Sequence, residues 1–148
     1  MYGNEKWKLK DLLDLTLVGS SNDGANAIAT VAGQFASVAG VVNAEPISDD
    51  LGRQQFVTAM NKKAVDIGLT QTYFLNPTGL DVSEYISGGY GSARDMAILF
   101  WRAIVKYPEL FGATRYETRE FSSLNSLKHK VKNTNTFVNS IPSLLGSK

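Results

Sequence analysis

The sequence contains no cysteine. That excludes a disulfide framework and any cysteine-ligated metal centre, and it is neutral between a reducing cytoplasm and an oxidising envelope. The single histidine, His129, leaves too few imidazoles for ordinary zinc chemistry, so no metal is expected. No run approaches the roughly 18 apolar residues of a membrane span. The first residues lack the charged-then-apolar order of a secretory signal, so any export signal is expected outside this sequence. Net charge is also scarce: fifteen basic residues against fourteen acidic ones leave +1. No field is therefore available to drive strong binding to nucleic acid or an anionic membrane. There is no internal repeat and no low-complexity segment.

What is present suits one globular domain: 148 residues, 43% hydrophobic and 20% charged. Leucines at 9, 12, 13 and 17 recur at helical spacing from Lys8 to Val18, and Gly19 marks the stop. Asp23 is the expected N-cap of a second helix reaching about Ala39. Its Ala25, Ile28, Ala29, Ala32, Phe35 and Ala36 stand among few charges, so it is expected to be buried on most sides. Ser48 caps a third, half-exposed helix striped by Phe56, Met60, Ala64 and Ile67 and ended by Gly68. Thr72 to Leu75 reads as a short strand before the turn Asn76-Pro77-Thr78-Gly79. Ser92 opens a fourth helix carrying Met96, Leu99, Phe100, Ala103, Ile104 and Tyr107, stopped before Pro108. Arg115–Ser122 and Leu127–Val131 alternate as two short strands, an expected antiparallel pair. Trp7 and Trp101 read as packing residues, and His129, with no local carboxylate or serine, as a surface histidine.

Four segments have the residue types of a site: Gly19-Ser20-Ser21-Asn22-Asp23, Phe74 to Asp81, Asn133-Thr134-Asn135, and Gly146-Ser147-Lys148. Taken alone, Ser20 to Asp23 reads as a helix-to-helix turn rather than a site. Asn76, Gly79 and Asp81 suit a turn in which Asn and Asp bond nearby backbone. Lys148 suits a solvated lysine.

In their order and surroundings these segments resemble a known family. Leu12 through Asp23 is similar to the leucine-rich helix and Ser-x-Asn motif of the serine D-alanyl-D-alanine carboxypeptidases, which are penicillin-binding proteins. Phe56 to Ala64, Leu69 and Thr72 to Asp81 resemble that family's helix and Asn-Pro-x-Gly-Leu-Asp turn. Ser92 to Ala97 and Asn133-Thr134-Asn135 fit its later landmarks. Of the trio Ser-x-x-Lys, Ser-x-Asn and Lys-Thr-Gly, only the middle element is complete. No Ser-x-x-Lys precedes Ser20, and Lys148 looks like the first residue of Lys-Thr-Gly. Residues 1–148 are thus expected to be an internal part of the catalytic domain. Thr78 stands where the family often has histidine, and Thr134 where a basic residue sometimes separates the asparagines.

The resemblance implies an α+β class, with these residues forming the mainly helical subdomain of the β-lactamase/transpeptidase-like fold. It implies a serine peptidase that removes the terminal D-alanine of peptidoglycan stem peptides through an acyl-enzyme, inactive in this chain alone. No cofactor is expected. Ser20 would relay a proton to the leaving amine, Asn22 would hold a substrate amide, and Lys148 would add positive charge near the substrate carboxylate. The implied partners are stem peptides ending in D-Ala-D-Ala and, for the full-length protein, β-lactams. The implied location is the cell envelope, periplasmic or extracellular. The alternatives are a class A-like β-lactamase and a non-catalytic helical peptidoglycan-binding module.

Overall fold

In the computed structural model the described residues are 2–38 and 47–147. The chain folds into two units, Met1–Gly24 with Trp101–Lys148, and Ala25–Phe100.

The first unit is built on α1, Leu9–Gly19. Leu12, Leu15 and Val18, spaced three apart, form its inward row, whereas Leu9 is exposed. The expected leucine stripe is therefore rotated toward Leu15 and Val18. These two pack with Ala113 and Phe121 as a core, flanked by Trp7 and Val131. Asp14 is tolerated near this row because Lys10, one turn earlier, reaches it at 2.8 Å.

Past Pro108 the chain winds as a 3-10 helix, Pro108–Arg115, which the sequence pattern did not suggest. It presents Thr114, fully buried, as a tie-point. The Thr114 carbonyl accepts from Asn133 Nδ2 at 2.7 Å and from the Ser147 hydroxyl at 2.9 Å, and its Oγ1 accepts from Ser147 N at 2.9 Å. Two strands follow. We label Thr118–Ser122 β3 and Lys128–Lys132 β4. They pair antiparallel with Phe121 opposite His129 and Arg119 opposite Val131, as the alternation anticipated. A short 3-10 turn, Val138–Ser140, comes after them.

The second unit contains most of α2, Asn22–Val38, and all of α3, Asp49–Asp66. Ser48 caps α3 by accepting from Leu51 N at 3.3 Å. Gly68, at φ +78, ends it: its N–H donates to Val65 O and that of Leu69 to Ala64 O, both at 2.9 Å, a left-handed C-terminal cap that glycine adopts without a Cβ penalty. Helices α2 and α3 meet where two glycines face each other. A Cβ on Gly33 would lie 1.8 Å from the Gly52 carbonyl oxygen.

Helix α2 is not buried on most sides. Val31 and Phe35 are 49% and 71% exposed. The close crossing with α3 runs through Thr30, Gly33 and Gln34 against Gly52, and that narrow contact leaves Val31 and Phe35 open.

Two short strands, β1 Tyr73–Phe74 and β2 Gly89–Tyr90, pair antiparallel. Asn61 on α3 bonds both the N–H and the C=O of Phe74, at 2.7 and 2.8 Å, so its amide acts as a further strand partner. The turn after β1 is organised by Asn76. Its Oδ1 accepts from the N–H groups of Thr78 and Gly79, at 3.1 and 2.7 Å, while its Nδ2 donates to Leu80 O at 2.8 Å. Gly79 supplies φ +78. Asp81, expected to share this network, lies exposed and outside it. Ser92 caps α4, Ala93–Lys106, by accepting from Asp95 N at 3.1 Å. The Asp95 carboxylate, 1% exposed, accepts from Gln71 N and Thr72 Oγ1 at 2.8 and 2.9 Å, which fastens the helix start to the loop before β1.

Trp101, expected to pack, is 64% exposed. It stands one residue past the Met96–Leu99–Phe100 row and shares the outer face with Val105 one turn on, also 64% exposed. Helices joined to short antiparallel strand pairs make the class α+β.

Candidate active site

The Ser-x-Asn segment forms the corner between α1 and α2. Helix α1 closes at Gly19, and Ser20 adopts the left-handed conformation, φ 53 and ψ 46, with its N–H donating to Thr16 O. Thr16 O also accepts from Ser21 N at 3.2 Å. An L-residue pays about 1–2 kcal/mol in this region, which glycine would avoid. A serine held here offers what glycine lacks, an exposed hydroxyl at the tip of a fixed corner.

Ser21 then caps α2, its Oγ accepting from Gly24 N at 3.1 Å. This corrects the expectation for Asp23, which sits two residues past the cap. It lies in the first turn of the helix, where its charge suits the positive end of the helix dipole. Gly24 is required at the start of α2, because a Cβ there would meet Thr16 Oγ1 at 2.0 Å. Asn22 is the first residue of α2 and is exposed. Ser20 and Asn22 therefore share one short corner, and Lys148 lies outside the described residues.

One further segment of this unit meets the same corner. Thr134 N donates to Val18 O at 3.2 Å, which joins the Asn133-Thr134-Asn135 segment to the last turn of α1. Asn133 is buried, and its Oδ1 accepts from Asn135 N at 2.9 Å. Ser147 is pinned to Thr114, as described above. A pocket of about 440 Å³ opens beside the corner, lined by Tyr2, Gly19, Ser21 and residues 128–131 of β4. In the second unit a separate cleft of about 490 Å³ lies between Asp50, Arg53, Val57, Asn76 and Pro77. Arg53 is occupied there by Asp50 and Thr30. Among the described residues no group of three or more His, Asp or Glu side chains is placed to hold a metal ion, and no helix is long and apolar enough to cross a membrane.

His129 is not a surface histidine. Its Nε2 lies 2.6 Å from Glu5 Oε1, and its side chain is 14% exposed against 2% for Glu5. Its ring contacts those of Trp7 and Tyr2, with centroids 5.1 and 5.6 Å away. The partner stands 124 residues away in sequence, so no local pattern reveals it. Burial raises the Glu5 pKa, but the Tyr2 N–H, His129 and the Ser123 hydroxyl together outweigh it and hold the carboxyl below its ordinary value of 4.5. A depressed folded-state value means that the stabilisation is complete above the ordinary value and is lost as pH falls through the folded one. Glu5→Gln should therefore flatten the acid limb of the stability curve below about pH 4.5. Urea unfolding at pH 3 to 7 checks it, and parallel curves for parent and variant would show that the carboxylate is not linked to folding.

This arrangement fits what comparison with known proteins finds. A family model described as D-alanyl-D-alanine carboxypeptidase matches residues 1–146. The Bacillus subtilis D-alanyl-D-alanine carboxypeptidase DacF is 37% identical over 144 residues, 97% of this chain and 31% of DacF. The crystal structure of a D-alanyl-D-alanine carboxypeptidase from Mycobacterium tuberculosis superposes with a TM-score of 0.71 at 26% identity, over 95% of this chain and 45% of that one. A Listeria monocytogenes penicillin-binding protein in its cefotaxime-bound form gives 0.69 at 25% identity, covering 96% and 48%. The chain thus spans about a third of the curated relative and somewhat under half of the two solved structures. With the family match running from the first residue through the Ser20–Asn22 corner to Gly146, the chain belongs to the D-alanyl-D-alanine carboxypeptidase family.

Proposed function

We propose that this chain is part of the catalytic domain of a serine-type peptidase that removes the terminal D-alanine of peptidoglycan stem peptides in the cell envelope, periplasmic or extracellular. The observation that carries the reading is the Ser20–Asn22 corner: a serine in a left-handed conformation and an asparagine two residues on, both exposed, in a chain of this family. The names of the matched relatives, carboxypeptidase and penicillin-binding protein, favour it over a β-lactamase.

No serine in residues 1–148 is followed three positions later by lysine, so the nucleophile of this mechanism stands in a segment outside them. That serine attacks the penultimate D-alanine carbonyl, and its lysine takes the proton. The amine that leaves when the tetrahedral intermediate collapses needs a proton. The Ser20 hydroxyl, donor and acceptor at once, passes it. The Asn22 amide offers a donor and an acceptor to a substrate peptide group, and Lys148 contributes positive charge for the terminal carboxylate.

A labelled penicillin tests the reading. The full-length protein carrying this chain should retain the label on a denaturing gel, and the 148-residue chain should not. A band on the 148-residue chain would put the nucleophile inside it. An unlabelled full-length protein would remove the carboxypeptidase assignment.

A further inference from the structure

Strand β4 has one partner among the described residues, β3. In an antiparallel pair, residues alternate between those that exchange backbone hydrogen bonds with the partner and those whose N–H and C=O point away. Two bonds flanking the pair set the parity: Ser123 N donates to Leu127 O at 2.9 Å, and Asn133 N to Glu117 O at 2.7 Å. With Phe121 opposite His129 and Arg119 opposite Val131, the odd-numbered residues of β4 face β3. The amides of Lys128, Lys130 and Lys132 therefore form an open edge. Thr134, next in that alternation, already donates to Val18 O at the end of α1. The edge consequently runs to the Ser20–Asn22 corner, and Lys128 and Lys130 line the pocket of about 440 Å³ beside it, with Tyr2 and Ser21.

The side chains add a second pattern. Residues 128, 130 and 132 share the exposed face of the hairpin, so three ammonium groups stand in a row, about 7 Å apart at the backbone. Across the pair on that face stand Ser122, Glu120 and Thr118. Glu120 is the one anion there, 3.6 Å from Lys128. Positive charge remains in excess on a chain whose overall charge is +1.

We propose that this edge takes an extended peptide bearing carboxylates at alternate positions, and so recognises an acidic stretch of the substrate beside the Ser20–Asn22 corner. The substrate assignment rests on the proposed function. A peptide residue set opposite Lys130 exchanges both main-chain hydrogen bonds with it and shares its face, so a carboxylate there lies within reach of Lys130 Nζ. The peptide residue two positions along stands opposite Lys128 or Lys132 in the same way. Lysines on an open edge also discourage pairing between copies of a chain. The pocket that this edge borders, and its junction with the corner, are what a guarding role leaves unused.

The test uses the full-length protein and two D-Ala-D-Ala peptides of equal length, with Glu at two alternate upstream positions in one and Gln in the other. The acidic peptide should show a kcat/KM about three- to tenfold higher, the scale of two partly exposed ion pairs, and the advantage should shrink with added salt. Lys128→Gln combined with Lys130→Gln should abolish that advantage and leave the Gln peptide within about twofold of its original value. N-methylation of the peptide residue opposite Lys130 should weaken binding of either peptide, because the bond that its N–H donates to the Lys130 carbonyl is lost. Equal rates for both peptides in the parent, or an equal loss on both in the double variant, would overturn the proposal, as would self-association of the double variant without loss of discrimination. If the parent cleaves neither peptide, the proposed activity fails. The same peptides, followed by fluorescence anisotropy, then decide the binding question separately, with no preference for the acidic one as the overturning result.

Discussion

Replacing Gly33 with valine should destabilise the chain clearly, because the space a side chain needs is filled by backbone. Even a single Cβ at this position would lie 1.8 Å from the carbonyl oxygen of Gly52, 2.6 Å from its carbonyl carbon and 3.1 Å from its Cα. None of these atoms can swing aside as a side-chain end would, so α2 and α3 must part. Forced overpacking of this kind costs typically about 1–3 kcal/mol and sometimes more. Leaving a glycine behind in a helix recovers up to about 1 kcal/mol, which is too little to compensate. Gly33→Ala should be milder than Gly33→Val but of the same sign. Gly112 is the internal control: a Cβ there meets nothing within 4 Å, so Gly112→Ala should be close to neutral. Thermal unfolding reads the series at about 2–4 °C per kcal/mol for a chain near this size. Unchanged melting in Gly33→Val would mean that the two helices do not cross at these glycines.

The same crossing shows what the sequence does and does not disclose. Helix ends announce themselves locally. Ser48 and Ser92 cap where their spacing suggests, and Gly68 ends α3, because a cap is a bond between residues three or four apart. The β3–β4 pair was legible from alternation for a similar reason. Contacts between elements were not. Gly33 reads as one more small residue of an apolar helix until Gly52 is found against it. The alanine-rich stretch of α2 suggests enclosure on all sides, yet small residues are equally the means of a single close approach that leaves Phe35 outside. Trp101 shows the limit of a hydrophobic stripe: one position of helical phase separates a packed aromatic from an exposed one.

For the site, the corner at Ser20 and Asn22 was legible because a Ser-x-Asn between two helical patterns is contiguous in sequence. Its internal division of labour was not, since Ser21 and Asp23 are both good capping residues and only backbone geometry separates them. The Glu5–His129 pair and the link from Thr134 to Val18 join residues more than a hundred positions apart, and neither leaves a periodic or motif-like trace. The consequence for function is that β4 and the corner form one neighbourhood, although the motifs alone present them as separate landmarks.

In the full-length protein, Ser20→Ala should slow turnover far more than it weakens substrate binding. A proton relay acts as the leaving amine departs, so its loss falls on kcat, by about 10²–10⁴-fold for general acid–base assistance. Asn22→Ala should instead raise KM and lower kcat together, because an amide bonded to the substrate backbone is engaged before and during reaction. The expected loss is roughly 1–3 kcal/mol in kcat/KM where the substrate partner is left buried and unpaired. The left-handed backbone at Ser20 makes a control possible. Alanine bears the same conformational cost there as serine, whereas Ser20→Gly relieves it and leaves the corner better suited to its φ. If the hydroxyl carries the chemistry, both variants are slow, and Ser20→Gly is slow despite an equal or higher melting temperature. If serine is there only to shape the corner, Ser20→Gly should turn over a D-Ala-D-Ala peptide at a near-normal rate. That outcome, or near-normal turnover in Ser20→Ala, would take Ser20 out of the mechanism.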